Sequence, residues 1–332
     1  MKSGKVTSKA REAPEAGFIF EVPEMRPPSL LALALMLLAL IHAALSETRP
    51  GGKGSTALGS GEMFDAIAPR YDLINSFLSL GMHTWWRSRM VAALELQPGD
   101  TVLDCGTGTA DVAITVARML KRQGKRAGVD TLAADAVVGV DPSANMLERG
   151  RRKVAQAGFE AASVRLVQGD AQDLSKTLAA DQRFDAATMA FAIRNVPDRL
   201  MALKSIASYL KPGARLAVLE LGEPTFPPAR WFVKYCVPLI GSVLSGGARA
   251  EYQHLERSVM KFNPKDFQDL IEQAGLDLVG VKMMNFGSVG LYLAQKPLQA
   301  DAPASGGGAA SKSPEPRSTL EEAVQAGQPS EL

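Results

Sequence analysis

The chain has 332 residues, of which 46% are hydrophobic, and a formal net charge of +2 at pH 7. This length is enough for one sizeable folded domain with appendages, and the small net charge excludes the basic excess typical of nucleic-acid-binding proteins. The two cysteines and three histidines lie far apart in the sequence. Neither a disulfide framework nor a metal site is therefore expected.

The first 60 residues are predicted to form a targeting leader. Residues 25–46 resemble a signal peptide, because 30–41 are continuously apolar but shorter than a membrane span, and a small-x-small cleavage site follows at Ala44-Leu45-Ser46. Residues 47–60 are poor in acids and rich in small and hydroxylated side chains, as transit peptides are. Together they resemble the bipartite leader of proteins sent to a plastid of secondary origin. A plain secretory signal and an uncleaved membrane anchor are the alternatives.

The other end of the chain, residues 299–332, is polar and rich in Ala, Ser, Gly and Pro. Such a composition predicts a disordered tail. The folded domain is therefore expected over residues 61–298.

This domain begins with apolar residues at helical spacing over 63–87, in a segment rich in Tyr, Asn, Ser, His and Trp. The pattern predicts an N-terminal helical cap that covers a site, or an ordinary packed cap. From Tyr71 to Trp86 the run Tyr-Asp-x-x-Asn-x-x-Leu-Ser-x-x-x-His-x-x-Trp resembles the signature of the ubiquinone/menaquinone biosynthesis C-methyltransferases. Ile74 departs from that family, which usually has Met there.

Residues 102–111, Val-Leu-Asp-Cys-Gly-Thr-Gly-Thr-Ala-Asp, predict a buried strand, a glycine turn and a helix start. Such a turn presents backbone N–H groups to a nucleotide-like cofactor, although an ordinary strand-to-helix turn is the alternative. Asp111 stands where a dinucleotide fingerprint has its third glycine, and its charge would repel phosphate. A cationic, phosphate-free cofactor such as S-adenosylmethionine suits this turn. The expected cofactor-binding residues here are Asp104, Gly106, Gly108, Thr109 and Asp111.

A helix is predicted from Val112 to about Gln123, followed by a polar loop that opens at Gly124. Residues 137–141 predict the second buried strand, and Asp141 at its end is expected to accept hydrogen bonds from both ribose hydroxyls. Residues 164–171 predict the third strand and its exit. There Asp170, with Ala171 beside it, is expected to accept the adenine amino group, or else to lie in a solvated loop.

Residues 184–198 predict a buried strand whose carboxyl end carries Arg194, Asn195 and Asp198, and ligands bind at that edge of open α/β sheets. The segment resembles the family's Phe-Gly-x-Arg-Asn-Val motif, with Ala192 in place of Gly. Ala190 stands where some members contact the cofactor through a serine, so the resemblance implies that this cofactor contact is either made by the backbone of Ala190 or lost.

A helix over 199–209, a turn over 210–213 and a strand over 215–220 are predicted next, and then an apolar, aromatic segment with Lys and Arg at 227–246. That last segment could line a lipid-tail groove, lie against a bilayer or be an ordinary packed helix. Residues 251–258 resemble the family's Tyr-x-x-Leu-x-x-Ser element, and a helix is expected over 264–274. Residues 287–296 resemble the ending of the demethylphylloquinone branch.

The resemblance covers residues 63–296. It implies a class I S-adenosylmethionine-dependent methyltransferase with an α/β fold: a Rossmann-like, doubly wound, mostly parallel sheet and an N-terminal helical cap. It also implies C-methylation of a prenylated naphthoquinol in phylloquinone or menaquinone biosynthesis, hence a lipophilic quinol as partner, with peripheral membrane contact and without nucleic acid or metal. The alternatives are a polyprenyl methoxybenzoquinol of ubiquinone biosynthesis, which would fit a mitochondrial enzyme, and a non-catalytic cofactor-binding subunit.

The expected chemistry is removal of a proton from a quinol hydroxyl, which raises the electron density of the ring carbon that takes the methyl group. Arg194 and Asn195 are expected to stabilise the developing phenolate. His83, Asp198 and Tyr71 are the candidates for relaying the proton.

Overall fold

The structure is a computed structural model that describes residues 72, 75–76, 79, 81–129, 131–237 and 249–298. All of them belong to the second of two units of the chain, Thr48–Leu332. The predicted leader, the predicted tail and Tyr71 lie outside the described residues. Among the residues described, no helix has the length and apolar character to cross a membrane.

Seven strands form a single sheet in the order β3-β2-β1-β4-β5-β7-β6. They are β1 Val102–Cys105, β2 Val137–Asp141, β3 Val164–Gln168, β4 Phe184–Ala190, β5 Leu210–Leu221, β6 Asp277–Met284 and β7 Val289–Gln295. Strands β1 to β5 pair in parallel, whereas β7 runs antiparallel between β5 and β6. The chain order reverses between β1 and β4, where doubly wound sheets bind ligands. The predicted α/β fold with a mostly parallel sheet is confirmed.

Helices cover both faces of this sheet. They are α1 Met82–Ala92, α2 Asp111–Arg126, α3 Ala144–Gln156, α4 Arg199–Ser208, α5 Pro227–Trp231 with a π-helical continuation Phe232–Cys236, α6 Arg249–Lys261 and α7 Pro264–Gln273. Short 3-10 turns lie at Leu174–Lys176 and Ile193–Asn195.

The core has two layers because successive strand residues point to opposite faces. Val102 and Val137 pack in one apolar cluster with α1 and α2, while Leu103 and Val138 pack in the other with α4 and α7. The central strands β1 and β2 are buried along their whole length, as parallel strands covered on both faces are.

Two boundaries differ from the sequence prediction. Helix α2 continues to Arg126, so the loop predicted to open at Gly124 starts later. Gly124 is buried within the helix, where an added Cβ would lie 2.9 Å from the Val129 carbonyl oxygen. Strand β5 starts at Leu210, and the predicted turn over 210–213 is an irregularity in its pairing with β4. Gly213 there has φ +76°.

Candidate active site

A cleft with about 290 Å³ of empty space lies at the carboxyl ends of β1 and β4. It is lined by Arg87, Gly106, Thr107, Gly108, Thr109, Asp111, Val112 and Ala190. Five of these are among the cofactor-binding residues that the sequence predicts, and the fold brings them together from the turn after β1, the start of α2 and the end of β4.

The two glycines of the turn meet different structural requirements. Gly106 has φ +65°, and an added Cβ would lie 2.5 Å from the Cβ of Ala192, so the segment after β4 packs directly on the turn. Gly108 has φ +54°, and an added Cβ would meet no atom within 4 Å. Its backbone therefore faces open space in the cleft, which lets a ligand approach the main chain closely.

Asp141 holds the turn from the neighbouring strand. One carboxylate oxygen accepts a hydrogen bond from the Gly108 N–H at 2.8 Å, and the other accepts from the Ser143 N–H at 2.9 Å. The residue expected to bind the ribose thus also fixes the loop that would carry the cofactor.

Asp104 lies beneath the turn. It is almost fully buried, and its carboxylate accepts hydrogen bonds from the hydroxyls of Thr107 (2.6 Å) and Thr188 (2.7 Å). Burial raises the pKa of Asp104 to about 6. These hydrogen bonds hold the turn on the end of β1.

The third predicted strand exit lies apart from these lining residues. Asp170 is exposed and accepts hydrogen bonds from the backbone and side-chain amides of Gln172, both at 2.9 Å. Ala171 is buried in the apolar core. A contact of Asp170 with the adenine remains a prediction.

A network of alternating charges borders the cleft. Arg87 donates to Asp111 at 2.7 Å, and Lys153 of α3 bridges Asp111 and Asp72, the latter at 3.0 Å. Thr109 donates to the other oxygen of Asp72 at 2.8 Å. Burial alone would raise the pKa of Asp111, but the charges of Arg87 and Lys153 hold it below its usual value.

This network neutralises a charge that the sequence predicts to be available to the cofactor. Asp111 was expected to offer negative charge to a cationic cofactor, yet two cations already neutralise it. Arg87 and Lys153 received no role from the sequence. Arg87 lines the cleft, and its buried Nε has no hydrogen-bond partner within the part of the chain that the structure describes. It fits an acceptor such as the carboxylate of an amino-acid moiety.

His83 lies close to this network. It is partly buried, and its Nδ1 is 2.7 Å from the Ser79 hydroxyl. Burial, and then the charge of Arg87, lower the pKa of His83. This shift favours the neutral imidazole, which is the form that can accept a proton.

Arg194 and Asn195 lie in the 3-10 turn that follows β4. The Arg194 side chain is 8% exposed, and its Nη1 donates to Glu220 at 2.5 Å and to the Phe191 carbonyl at 2.8 Å. Glu220 of β5 is fully buried and also accepts from the Arg194 backbone N–H. Arg194 Nε and Asn195 Nδ2 are buried donors that lack a partner among the described residues. Buried donors without partners are rare and call for an explanation.

Asp198 caps α4, since its carboxylate accepts from the Met201 N–H at 2.8 Å. It is exposed. Its predicted part in a proton relay remains untested, as does that of Tyr71.

No sequence pattern indicates a role for His254. Helix α6 packs over the 3-10 turn, and His254 Nε2 lies 3.3 Å from Asn195 Oδ1. Burial, followed by the charges of Arg194 and Arg257, lowers the pKa of His254. No local pattern could have predicted a contact between residues 59 positions apart.

The fold and the glycine-turn cleft define a class I S-adenosylmethionine-dependent methyltransferase. The chain belongs to the ubiE/COQ5 methyltransferase family, whose model matches residues 54–296. It is similar to the demethylmenaquinone methyltransferases of Bacillus cereus (strain B4264), at 35% identity, and Bacillus anthracis (strain CDC 684 / NRRL 3495), at 34%. Each alignment spans 241 residues, which is 71% of this chain and 94% of the relative.

The mitomycin 7-O-methyltransferase MmcR shares the fold, with a TM-score of 0.50 and 14% identity over 80% of this chain and 68% of that one. The family resemblance noted from the sequence is confirmed. The protein is a quinone C-methyltransferase that uses S-adenosylmethionine.

Proposed function

We propose that this enzyme methylates a ring carbon of a prenylated naphthoquinol, as a step of phylloquinone or menaquinone biosynthesis. S-adenosylmethionine supplies an electrophilic methyl group. The protein must hold the quinol ring in line with that group and help a ring hydroxyl lose its proton.

The observation that carries this proposal is the pair of buried donors, Arg194 Nε and Asn195 Nδ2, which have no partner among the residues that the structure describes. They lie at the carboxyl end of β4, the same sheet edge as the cleft. Preorganised donors in a site shielded from water stabilise a developing oxyanion strongly. A phenolate oxygen would satisfy both donors, and its charge would complement the Arg194 guanidinium.

A naphthoquinol is favoured over a benzoquinol by two observations. The relatives reported above are named demethylmenaquinone methyltransferases. In addition, residues 287–296, which form the final turn and β7, resemble the ending of the demethylphylloquinone branch.

We further propose a plastid location on the basis of residues 25–60, and sequencing the N-terminus of the mature protein tests it. A start near residue 61 would support a plastid protein, a start near residue 47 would indicate a secretory protein, and retention of residues 30–45 would indicate an uncleaved anchor.

An exposed aromatic surface supports contact with a membrane that holds the quinol. The rings of Phe226 and Phe286 lie 5.0 Å apart, and those of Trp231 and Tyr235 lie 5.9 Å apart. All four side chains are at least 45% exposed. Aromatic residues beside Lys and Arg are typical of segments that lie in the interface of an anionic bilayer.

The decisive experiment compares the transfer of labelled methyl groups to 2-geranyl-1,4-naphthoquinol and to a geranyl methoxybenzoquinol, each kept reduced with dithionite, with the oxidised naphthoquinone as a third arm. Faster methylation of the naphthoquinol is expected. Preference for the benzoquinol would assign the enzyme to ubiquinone biosynthesis. Equal rates on oxidised and reduced substrate would contradict the phenolate chemistry, because a quinone has no hydroxyl proton to lose.

A further inference from the structure

We propose that His254 is a positioning residue, which holds the Asn195 amide so that its Nδ2 group faces the substrate oxygen. This proposal rests on the proposed function, because it assigns the orientation of one of the two donors invoked there.

The hydrogen bond itself supplies the first argument. Asn195 Oδ1 is 3.3 Å from His254 Nε2, and a carbonyl oxygen can only accept. The imidazole must therefore carry its proton on Nε2. With Oδ1 engaged by His254, the planar amide keeps its NH₂ group directed away from the ring. That NH₂ group is the buried donor that has no partner in the described part of the chain.

The two donors are thus fixed by different elements. Glu220 of β5 fixes the Arg194 guanidinium from within the sheet. His254 fixes the Asn195 amide from α6, which packs over the 3-10 turn. An amide without such a contact could rotate about its side-chain bond and present its oxygen to the substrate, which would repel a phenolate.

Burial, followed by the charges around His254, lowers its pKa and so favours the neutral imidazole. Arg194 faces it from the 3-10 turn and Arg257 from its own helix, and both act with burial to lower its pKa. Glu220 neutralises Arg194 on the side of the sheet. A neutral imidazole donates to Asn195 without adding a second positive charge beside Arg194.

The test compares His254→Leu, which removes the donor, with His254→Gln, whose side-chain amide still donates. With S-adenosylmethionine and 2-geranyl-1,4-naphthoquinol, His254→Leu is expected to lower kcat about 10- to 100-fold with KM within about threefold of the wild type, and His254→Gln to stay within about threefold in both. In an Asn195→Ala background, His254→Leu should have no further effect on kcat. An unchanged kcat in His254→Leu, a His254→Gln variant as slow as the leucine variant, or additive losses would overturn the proposal.

A measurement on the unmodified protein separates this proposal from the proposed function. The measurement is ¹⁵N NMR of the imidazole rings. The chain has three histidines, so variants that each lack one of them serve only to assign the signals of the unmodified protein. His254 is expected in the Nε2–H form at pH 7, and the Nδ1–H form would overturn the positioning role. If the NMR result is as expected but neither quinol is methylated, the proposed function fails and the His254–Asn195 contact stands.

Discussion

The Asp141 carboxylate accepts a hydrogen bond from the backbone N–H of Gly108 at 2.8 Å, so the end of β2 is tied to the turn that faces the cleft. Asp141→Ala should therefore weaken S-adenosylmethionine binding by about 1.5 to 3 kcal/mol, because it removes the charge-assisted hydrogen bond to the turn and the acceptor that we propose for the ribose hydroxyls. Asp141→Asn keeps one acceptor oxygen and should lose less. Isothermal calorimetry on folded variants measures both, and an unchanged affinity in Asp141→Ala would exclude this residue from the site.

The two glycines of the turn should respond differently to alanine. In Gly106→Ala the new Cβ would lie 2.5 Å from that of Ala192, in a left-handed conformation that costs a further 1–2 kcal/mol or so. We expect a loss of more than about 2 kcal/mol in the free energy of unfolding, partly restored by adding Ala192→Gly.

Gly108→Ala is the matched control, since its new Cβ would lie within 4 Å of no atom in the described residues. It should cost only the backbone strain, roughly 1–2 kcal/mol of stability, but should weaken cofactor binding because the methyl group enters the cleft. Urea denaturation and calorimetry separate the two effects. Equal stability losses at both positions would contradict the contact with Ala192.

Arg194 cannot be tested by simple truncation, because its partner Glu220 is fully buried. Arg194→Ala leaves that carboxylate without its cation, which typically costs about 3–5 kcal/mol of stability. Adding Glu220→Gln should recover much of this loss while activity stays low, since Arg194 Nε is still missing. Denaturant unfolding and methyl transfer are measured on both variants. Full activity in the double variant would transfer the oxyanion role to Asn195 alone.

Local sequence patterns predicted the parts of the site that depend on local geometry. The glycine turn, Asp141 and the Arg194-Asn195 pair each follow a short apolar strand, and parallel strands bring their carboxyl ends to one edge. Which side chains pair across that edge depends on three-dimensional packing. The contacts of Lys153 with Asp111 and of His254 with Asn195 span 42 and 59 positions, so no spacing rule could indicate them.

The predicted helix end before Gly124 is wrong for a similar reason. Glycine after a basic helical stretch usually marks a helix end, but here it allows close contact with the Val129 carbonyl while the helix continues. A local pattern cannot distinguish a glycine that is needed for such a contact from a glycine that ends a helix.

The buried Asp104 should make stability depend on pH in the direction opposite to a paired carboxylate. Burial raises its folded-state pKa from 3.8 to about 6. Its contribution is therefore most favourable below about pH 4, falls as the pH rises to about 6, and is constant above that value. The displacement corresponds to about 3 kcal/mol.

Asp104→Asn cannot ionise, so its stability relative to the wild type should rise by up to about 3 kcal/mol between pH 4 and pH 7. Urea unfolding at several pH values measures this difference. A difference that does not change with pH would mean that Asp104 titrates normally in the folded state.

The exposed aromatic surface should bind anionic bilayers. Trp231 is 59% exposed and Phe286 is 69% exposed, and Arg230 and Lys234 lie on the same helical segment as Trp231. Burying two large apolar side chains in the bilayer interface contributes about 1.5–3 kcal/mol each. The variant Trp231→Ser/Phe286→Ser should therefore bind vesicles containing phosphatidylglycerol at least about tenfold more weakly than the wild type, as measured by co-sedimentation.

Met201→Ser is the matched control, because Met201 is 49% exposed on α4 and this variant should bind as the wild type does. Since basic residues contribute through charge, binding should also weaken as salt screens the vesicle surface. Equal binding by both variants would mean that this surface does not contact the membrane, and that the quinol reaches the cleft by another route.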